Sequence, residues 1–286
     1  MLPAIEALLV AERPDAVLVY GDTNSTLAGA LVAAKLQVPV VHVEAGLRSF
    51  DRAMPEEVNR VVTDHLASVL LCPTDVARAN LAAEGVTAGV HVVGDVMVDA
   101  ARLFGPVADR LHDPAAALGV ERGGYVLATV HRDHNTRQPS LGRIVEAVSA
   151  LGEPVLLPLH PRTRAALERD GLAFGGRVQT LPPLGYLEFT ALLRGARVCL
   201  TDSGGAQKEA YVHGVPCVTL RPVTEWVETV DEGWNVLVGD DPTAIAAAVA
   251  AARVPGPRGT AYGDGHAAER IADLLVAGEA LGTIRR

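Results

Sequence analysis

The sequence predicts an α/β protein built from two Rossmann-like, doubly wound domains that face a cleft. Three observations carry that reading. Short apolar runs bounded by turn residues recur along the chain, helix-like and often Ala-rich stretches separate them, and polar, chemistry-bearing residues cluster just after the runs. Continuous apolar strands are covered on both faces. Strands alternating with helices run parallel, and ligands of such sheets sit outside the carboxyl ends of the strands.

The elements follow in order. The chain opens on a short helical stretch that runs directly into AVLVY (16–20), followed by VPVVHV (38–43), SVLLC (68–72) and GVHVV (89–93). A second set comprises YVLATV (125–130), PVLLPL (154–159), RVCLT (197–201), PCVTL (216–220) and NVLVG (235–239). Helices are expected at Asn24–Leu36, Glu56–Ala67, Asp75–Glu84, Leu141–Leu151, Tyr186–Gly195 and Ala206–His213. The domain boundary falls in 105–124, where Pro106, Asp113, Pro114 and Arg122-Gly123-Gly124 interrupt the pattern. This gives a first domain over 1–110 and a second over 120–258. A break at 254–259 then leads to a terminal helix in 259–286, around His266–Leu281, that crosses back to the first domain. A doubly wound domain ordinarily opens with a strand, so about four strands after a helix make the first domain look incomplete.

Composition narrows the function. Of 286 residues, 49% are hydrophobic and 21% charged, which suits folded cores and not disorder. A net charge of −9 argues against a nucleic-acid surface, which needs a basic face, but leaves room for a small anion held by a few aimed groups. No apolar run has the length for membrane insertion. The acidic start lacks the features of a signal peptide, so a cytoplasmic protein is expected. Cys72, Cys199 and Cys217 lie in or beside apolar runs and read as buried, reduced thiols, with no disulfide framework and no metal site.

Five motifs carry chemistry. In GDTNS (21–25), Asp22 ends a strand, and Thr23, Asn24 or Ser25 caps the following helix. In HVEAGLRSFDRAMPEEVNR (42–60), Glu44 ends another apolar strand, where a carboxylate needs a partner or a task. Pro55 starts a helix that places Glu56 and Glu57 at its positive end. Three carboxylates at one rim repel, which raises one pKa and sets an acid beside a base. VHRDHN (130–135) and LHPRTR (159–164) bring His131, Arg132, His160 and Arg162 to strand ends, an anion site with an acid/base partner. In TDSGGAQKEA (201–210), Ser203, Gly204 and Gly205 form a strand-to-helix turn whose backbone N–H groups reach a phosphate, and Glu209 is placed to accept from ribose hydroxyls. YGDGHAAERI (262–271), Trp226 and Trp234 read as structural.

Taken together and in this order, the motifs resemble the non-hydrolysing UDP-N-acetylglucosamine 2-epimerases, of glycosyltransferase-B-like fold, over nearly all of the chain. The resemblance implies reversible C2 epimerisation of UDP-N-acetylglucosamine to UDP-N-acetylmannosamine for cell-surface polysaccharide synthesis, with no cofactor and no metal, by a homodimer. UDP leaves with the C2 proton, giving a 2-acetamidoglucal, and adds back after reprotonation on the other face. It further implies Asp22, Glu44 and Glu56 as catalytic carboxylates and His131 as a catalytic or phosphate-contacting group. Ser203, Gly204 and Gly205 would form the diphosphate loop, Glu209 the ribose ligand and Phe189 the residue beside uracil, with Arg132 and His160 also at the substrate. LRSFDRAMPEE and TEWVET look closer to the branch that includes epimerases of 2,3-diacetamido sugar uronates. Three features depart from the pattern: nothing matches the family's opening GTRPE motif, His134 stands where relatives usually carry Glu, and Trp226 where some carry Arg. The first departure predicts a weakly stable first domain and little or no activity, so the alternatives are a UDP-sugar binder without catalysis and a glycosyltransferase of the same fold.

Overall fold

The computed structural model describes residues 1–111 and 114–277, which divide into two compact units: Met1–Asp99 with the segment from Thr260, and Ala100–Gly259. In the first unit come α1 (Leu2–Glu12), β1 (Val17–Tyr20), α2 (Asn24–Lys35), β2 (Val40–Val43), α3 (Pro55–Leu66), β3 (Val69–Cys72), α4 (Asp75–Ala83) and β4 (Val90–Val92). Helix α5 (Val96–Leu111) carries the chain from one unit into the other. The second unit contains α6 (Pro114–Ala117), β5 (Val126–Thr129), a 3₁₀ turn at His134–Thr136, α7 (Ser140–Ser149), β6 (Val155–Pro158), α8 (Pro161–Asp170), β7 (Val178–Leu181), α9 (Tyr186–Gly195) and β8 (Val198–Thr201). It continues with α10 (Gly204–His213), β9 (Cys217–Thr219), α11 (Val227–Asp231), β10 (Asn235–Leu237) and α12 (Pro242–Ala251), and α13 (Ala267–Val276) returns to the first unit.

Both sheets are wholly parallel. The first runs β1-β2-β3-β4. Alternation along its strands sends Val41, Val43, Val69 and Leu71 to one core, which Ile271 of α13 completes, while Val40 joins Val19, Ala30 and Ala33 in another. The Asp99 carboxylate accepts from the first two amides of α13, at 3.0 and 2.7 Å, so the start of α13 is pinned to the start of α5. Tyr262 and Gly263 pack on Gly94 so closely that a Cβ on Gly263 would lie 3.1 Å from the Gly94 Cα. β1 is an edge strand on which Leu18 and Tyr20 are exposed, as are Leu8 and Val10 of α1.

The second sheet runs β10-β9-β8-β5-β6-β7. Its first strand in sequence, β5, is central, and later strands are added first on one side and then on the other, which is the doubly wound order. Period-two alternation divides β5 between the layers: Val126, Ala128 and Val130 face a core with α7 and α12, and Tyr125 and Leu127 face one with α9 and α10.

Several elements differ from the sequence reading. Pro106 does not interrupt the pattern but lies within α5, and the division between units falls at Asp99–Ala100, before the expected 105–124 break. β7 and the helices α5, α6, α8, α11 and α12 have no counterpart in the sequence reading, and α10 begins at Gly204, not at Ala206. Part of the terminal helix expected over His266–Leu281 lies outside the described residues, and α13 is described as far as Val276. Cys72, Cys199 and Cys217 are buried and free, and burial pushes the Cys72 thiol up to about 12. Among the described residues no helix is long and apolar enough to cross a membrane.

Candidate functional site

In the first unit the chemistry gathers where β1 and β2 end. Tyr20 pairs in register with Val43, so Gly21-Asp22 and Glu44 leave the same edge of the sheet side by side. Gly21 has φ 62°, and a Cβ there would lie 3.1 Å from Glu44 Oε2, so both backbone and space require glycine. Glu44 itself has φ 76°, a left-handed conformation that costs a side-chain-bearing residue roughly 1–2 kcal/mol. Thr23 is the residue that caps α2, accepting from the Thr26 amide.

Helix α3 holds this rim from below. Pro55 is at its first position and places Glu56, half-buried, and Glu57, buried, in the first turn. Glu57 turns inward and accepts from Ser49 N and Oγ (both 2.9 Å), Phe50 N (3.0 Å) and Arg60 Nη1 (2.6 Å). Arg60 Nη2 then donates to Asp22 at 2.5 Å, and Asn59 Nδ2 donates to the Asp22 carbonyl (2.9 Å) and to Asn24 Oδ1 (3.0 Å). The sequence set carboxylate against carboxylate here; the structure gives Asp22 a guanidinium.

Beneath the rim, His42 is wholly buried with Nδ1 2.7 Å from Asp64 Oδ1 and Nε2 2.8 Å from the Gly21 carbonyl. Both ring nitrogens thus face oxygen atoms of the protein. Asp64 also accepts from Gly46 N (3.1 Å) and Arg48 Nη1 (2.6 Å), and Arg48 forms a fork with Glu84 at 2.7 Å on each arm. Burial alone would raise the Asp64 pKa, but the hydrogen bonds and charges of His42 and Arg48 outweigh it and hold the carboxyl below its ordinary value.

In the second unit the site forms where strand order reverses, between β5 and β8, which is where doubly wound sheets bind ligands. Thr129 pairs with Thr201 across this seam, their hydroxyl oxygens 2.5 Å apart. Asp202, wholly buried, follows β8 and accepts from His131 N (3.0 Å to each oxygen), Arg132 N (2.9 Å) and Asn135 Nδ2 (3.1 Å), with His131 Nδ1 at 3.3 Å. Burial lowers the His131 pKa, and the Asp202 charge opposes that shift without cancelling it.

A cavity of about 330 Å³ opens at this seam. His131, His160, Ser203 and Glu209 supply its polar groups, Pro158, Pro183, Leu184 and Phe189 an apolar wall, and Gly205 part of the surface between them. That size and mixture suit a small organic ligand with a polar end. Ser203 caps α10, accepting from Ala206 N, which leaves the first-turn amides of Gly204 and Gly205 at the positive end of the helix. A Cβ on Gly204 would fall 2.6 Å from Glu225 Oε1, whereas one on Gly205 would meet nothing nearer than Ser203 Oγ at 3.9 Å. Burial raises the Glu209 pKa to about 7, against the pull of Lys208. His160 caps α8, Nδ1 accepting from Arg162 N at 3.1 Å, and its ring centroid lies 5.3 Å from that of His131.

Of the residues singled out in the second unit, His131, His160, Phe189, Ser203, Gly205 and Glu209 share one cavity; Gly204 and Arg132 adjoin it without lining it. In the first unit, Asp22 and Glu44 meet at one rim, with Glu56 on the helix that supports it. Sequence reading assigned no role to Asp202, Asn59, Arg60, His42 or Asp64. The signal available was the placing of His42 inside an apolar strand and of Asp202 at the end of one. No group of three or more His, Cys, Asp or Glu among the described residues could hold a metal ion.

The comparisons agree with one another. A model of the UDP-N-acetylglucosamine 2-epimerase family matches residues 1–276. The chain is 49% identical to the UDP-2,3-diacetamido-2,3-dideoxy-D-glucuronate 2-epimerase of Pseudomonas aeruginosa, over 96% of this chain and 78% of that protein. With the UDP-N-acetylglucosamine 2-epimerase of Methanocaldococcus jannaschii it shares 43% identity over 98% of this chain and 80% of the relative. The crystal structure of the M. jannaschii enzyme in complex with UDP-GlcNAc and UDP superimposes with a TM-score of 0.89, covering 97% of this chain and 80% of that one. The Neisseria meningitidis enzyme bound to UDP-GlcNAc, 29% identical, gives 0.88 over 96% and 80%.

Proposed function

This chain belongs to the UDP-N-acetylglucosamine 2-epimerase family, and we propose that it reversibly inverts C2 of UDP-N-acetylglucosamine, giving UDP-N-acetylmannosamine. The observation that carries the proposal is the cavity at the β5/β8 seam: it sets an apolar slot, a helix N-terminus with a capping serine, two histidines and a half-buried carboxyl around one small volume. A nucleoside diphosphate has matching parts. Phe189, with Leu184, flanks the base, Glu209 takes the ribose hydroxyls, and Ser203 with the Gly204 and Gly205 amides takes the diphosphate.

Inversion at C2 requires the proton to leave one face and return to the other. UDP departs as that proton is lost, the enzyme holds the 2-acetamidoglucal and UDP, and the C1–O bond re-forms after reprotonation. Asp22, Glu44, Glu56 and His131 are the groups assigned to proton transfer, and Arg132 and His160 support the departing anion. Retention of UDP follows from the helix dipole and hydrogen bonds, which strengthen as negative charge develops on the leaving phosphate. No step calls for a redox cofactor. We assign the enzyme to the cytoplasm and to a homodimer, which sedimentation of the purified chain tests.

A second substrate is favoured by one observation, the 49% identity to an epimerase of UDP-2,3-diacetamido-2,3-dideoxy-D-glucuronate. Incubation with each UDP sugar in heavy water separates the readings. Deuterium at C2 of UDP-GlcNAc supports the first, and deuterium only in the diacetamido uronate supports the second. UDP binding without exchange would make the chain a nucleotide-sugar binder, and UDP release with transfer of the sugar a glycosyltransferase.

A further inference from the structure

We propose that the cavity holds two histidines poled in opposite senses: His160 presents an Nε2–H donor to a ligand oxyanion, and His131 presents an Nε2 lone pair to a ligand hydroxyl or to a proton in transit.

The assignment comes from what occupies the other nitrogen of each ring. His160 is the N-cap of α8, and its Nδ1 accepts the Arg162 amide hydrogen at 3.1 Å. A backbone N–H can only donate, so Nδ1 carries the lone pair and the ring proton is on Nε2. The His131 ring meets the reverse situation. Its Nδ1 lies 3.3 Å from Asp202 Oδ1, a close approach and not a formed hydrogen bond, but the facing carboxylate already accepts from three N–H groups and favours a proton on the nitrogen turned toward it, which places the proton on Nδ1 and leaves Nε2 bare. Asp202 is held in place by the amides of His131 and Arg132 and by the Asn135 amide group, so it cannot turn away to leave a choice of tautomer. The two rings stand 5.3 Å apart, tilted by 33°, on the surface of one cavity with Ser203.

The chemistry of the ligand follows. A fully ionised phosphate offers acceptors and no donor, so it pairs with the Nε2–H of His160 and is repelled by a bare Nε2. The His131 ring suits the part of the ligand that carries O–H or N–H groups, or from which a proton is withdrawn. Asp202 is then a positioning residue acting through His131. The identity of the ligand as a UDP sugar rests on the function proposed above, whereas the tautomers rest only on the partners of each ring.

The test uses the full chain labelled with ¹⁵N-histidine. Long-range ¹⁵N–¹H correlation spectra at pH 8 are assigned by the signals lost in His131→Gln and His160→Gln. The expected result is Nε2–H for His160 and Nδ1–H for His131, with Asp202→Asn disturbing the His131 tautomer and leaving His160 unchanged. The opposite tautomer in either ring of the unsubstituted protein, or a His131 signal indifferent to Asp202→Asn, overturns the proposal. Calorimetric titration with UDP supplies a second arm. Gln at position 160 keeps an N–H donor and is expected to hold affinity within about threefold, whereas His160→Leu loses about tenfold or more. Equal losses overturn the donor role. If UDP fails to bind the unsubstituted chain, the nucleotide reading fails, and the spectra still decide the tautomers.

Discussion

His42 and Asp64 meet at 2.7 Å with both side chains wholly shielded from water, and the far nitrogen of the same ring reaches the Gly21 carbonyl beside Asp22. The pair joins α3, β2 and the turn after β1, so the position of Asp22 depends on hydrogen bonds that never touch solvent. Removing one partner of a buried pair leaves the other uncompensated.

Asp64→Ala is therefore expected to destabilise the protein by about 3–5 kcal/mol in urea unfolding, since it strands both His42 and Arg48. Because the Asp64 pKa is lowered in the folded state, its contribution is present above the ordinary carboxylate pKa and is lost as pH falls through the folded value. Unfolding of the unsubstituted protein should thus steepen only at strongly acidic pH. A loss under 1 kcal/mol would show that the pair is a passive feature.

Asp22→Asn and His131→Ala are each expected to lower deuterium exchange at C2 by about a hundredfold or more, the usual scale for a lost acid/base group. UDP affinity should stay close to that of the unsubstituted chain. Exchange at normal rates in both variants would refute the proton-transfer roles.

Glu209 gives a pH dependence of known sign. Burial raises its folded pKa from 4.5 to about 7, so between those values the unfolded chain has released a proton that the folded chain retains. Stability accordingly falls as pH rises through that window, by on the order of 3 kcal/mol at most. Glu209→Gln, which carries no such proton, should match the unsubstituted Tm near pH 5 and exceed it near pH 8. A difference in Tm independent of pH contradicts the assignment.

Adjacent glycines of α10 should respond differently to a methyl group. Gly204→Ala forces a Cβ to within 2.6 Å of Glu225 Oε1 and 3.2 Å of Trp226 Nε1, and overpacking of this kind costs about 1–3 kcal/mol. Gly205→Ala has room within the fold, so its Tm should hold or rise, while UDP affinity drops because the methyl group enters the cavity. Thermal unfolding with UDP titration distinguishes the two, and equal behaviour would remove Gly205 from the ligand surface.

Much of this was readable in the residues. Asp22, Glu44, His131 and Ser203 stand at the ends of continuous apolar runs, and a parallel sheet delivers such residues to one side. The misses have physical causes. β7 is an edge strand with one buried residue, Leu181, so it lacks the apolar run that betrays a buried strand. α8 is a polar surface helix opened by Pro161, whose proline reads as readily as a turn. Pro106 gives up one backbone N–H within α5, a loss that the other turns of a long helix sustain. Asp202, Asn59 and Arg60 owe their roles to partners tens of residues away, and no local pattern encodes which donor a buried carboxylate will meet.

The seam between β5 and β8 also bears on how the protein is made. Asp202 accepts from His131 at a separation of 71 residues in the chain, so the cavity at this seam does not exist until a long loop has closed. Loop closure of that kind comes late and slowly compared with local helix formation. A nascent chain emerging from the ribosome therefore lacks the cavity until β8 and the start of α10 have been synthesised and docked. Closure of this cavity consequently marks the moment at which the second unit has matured.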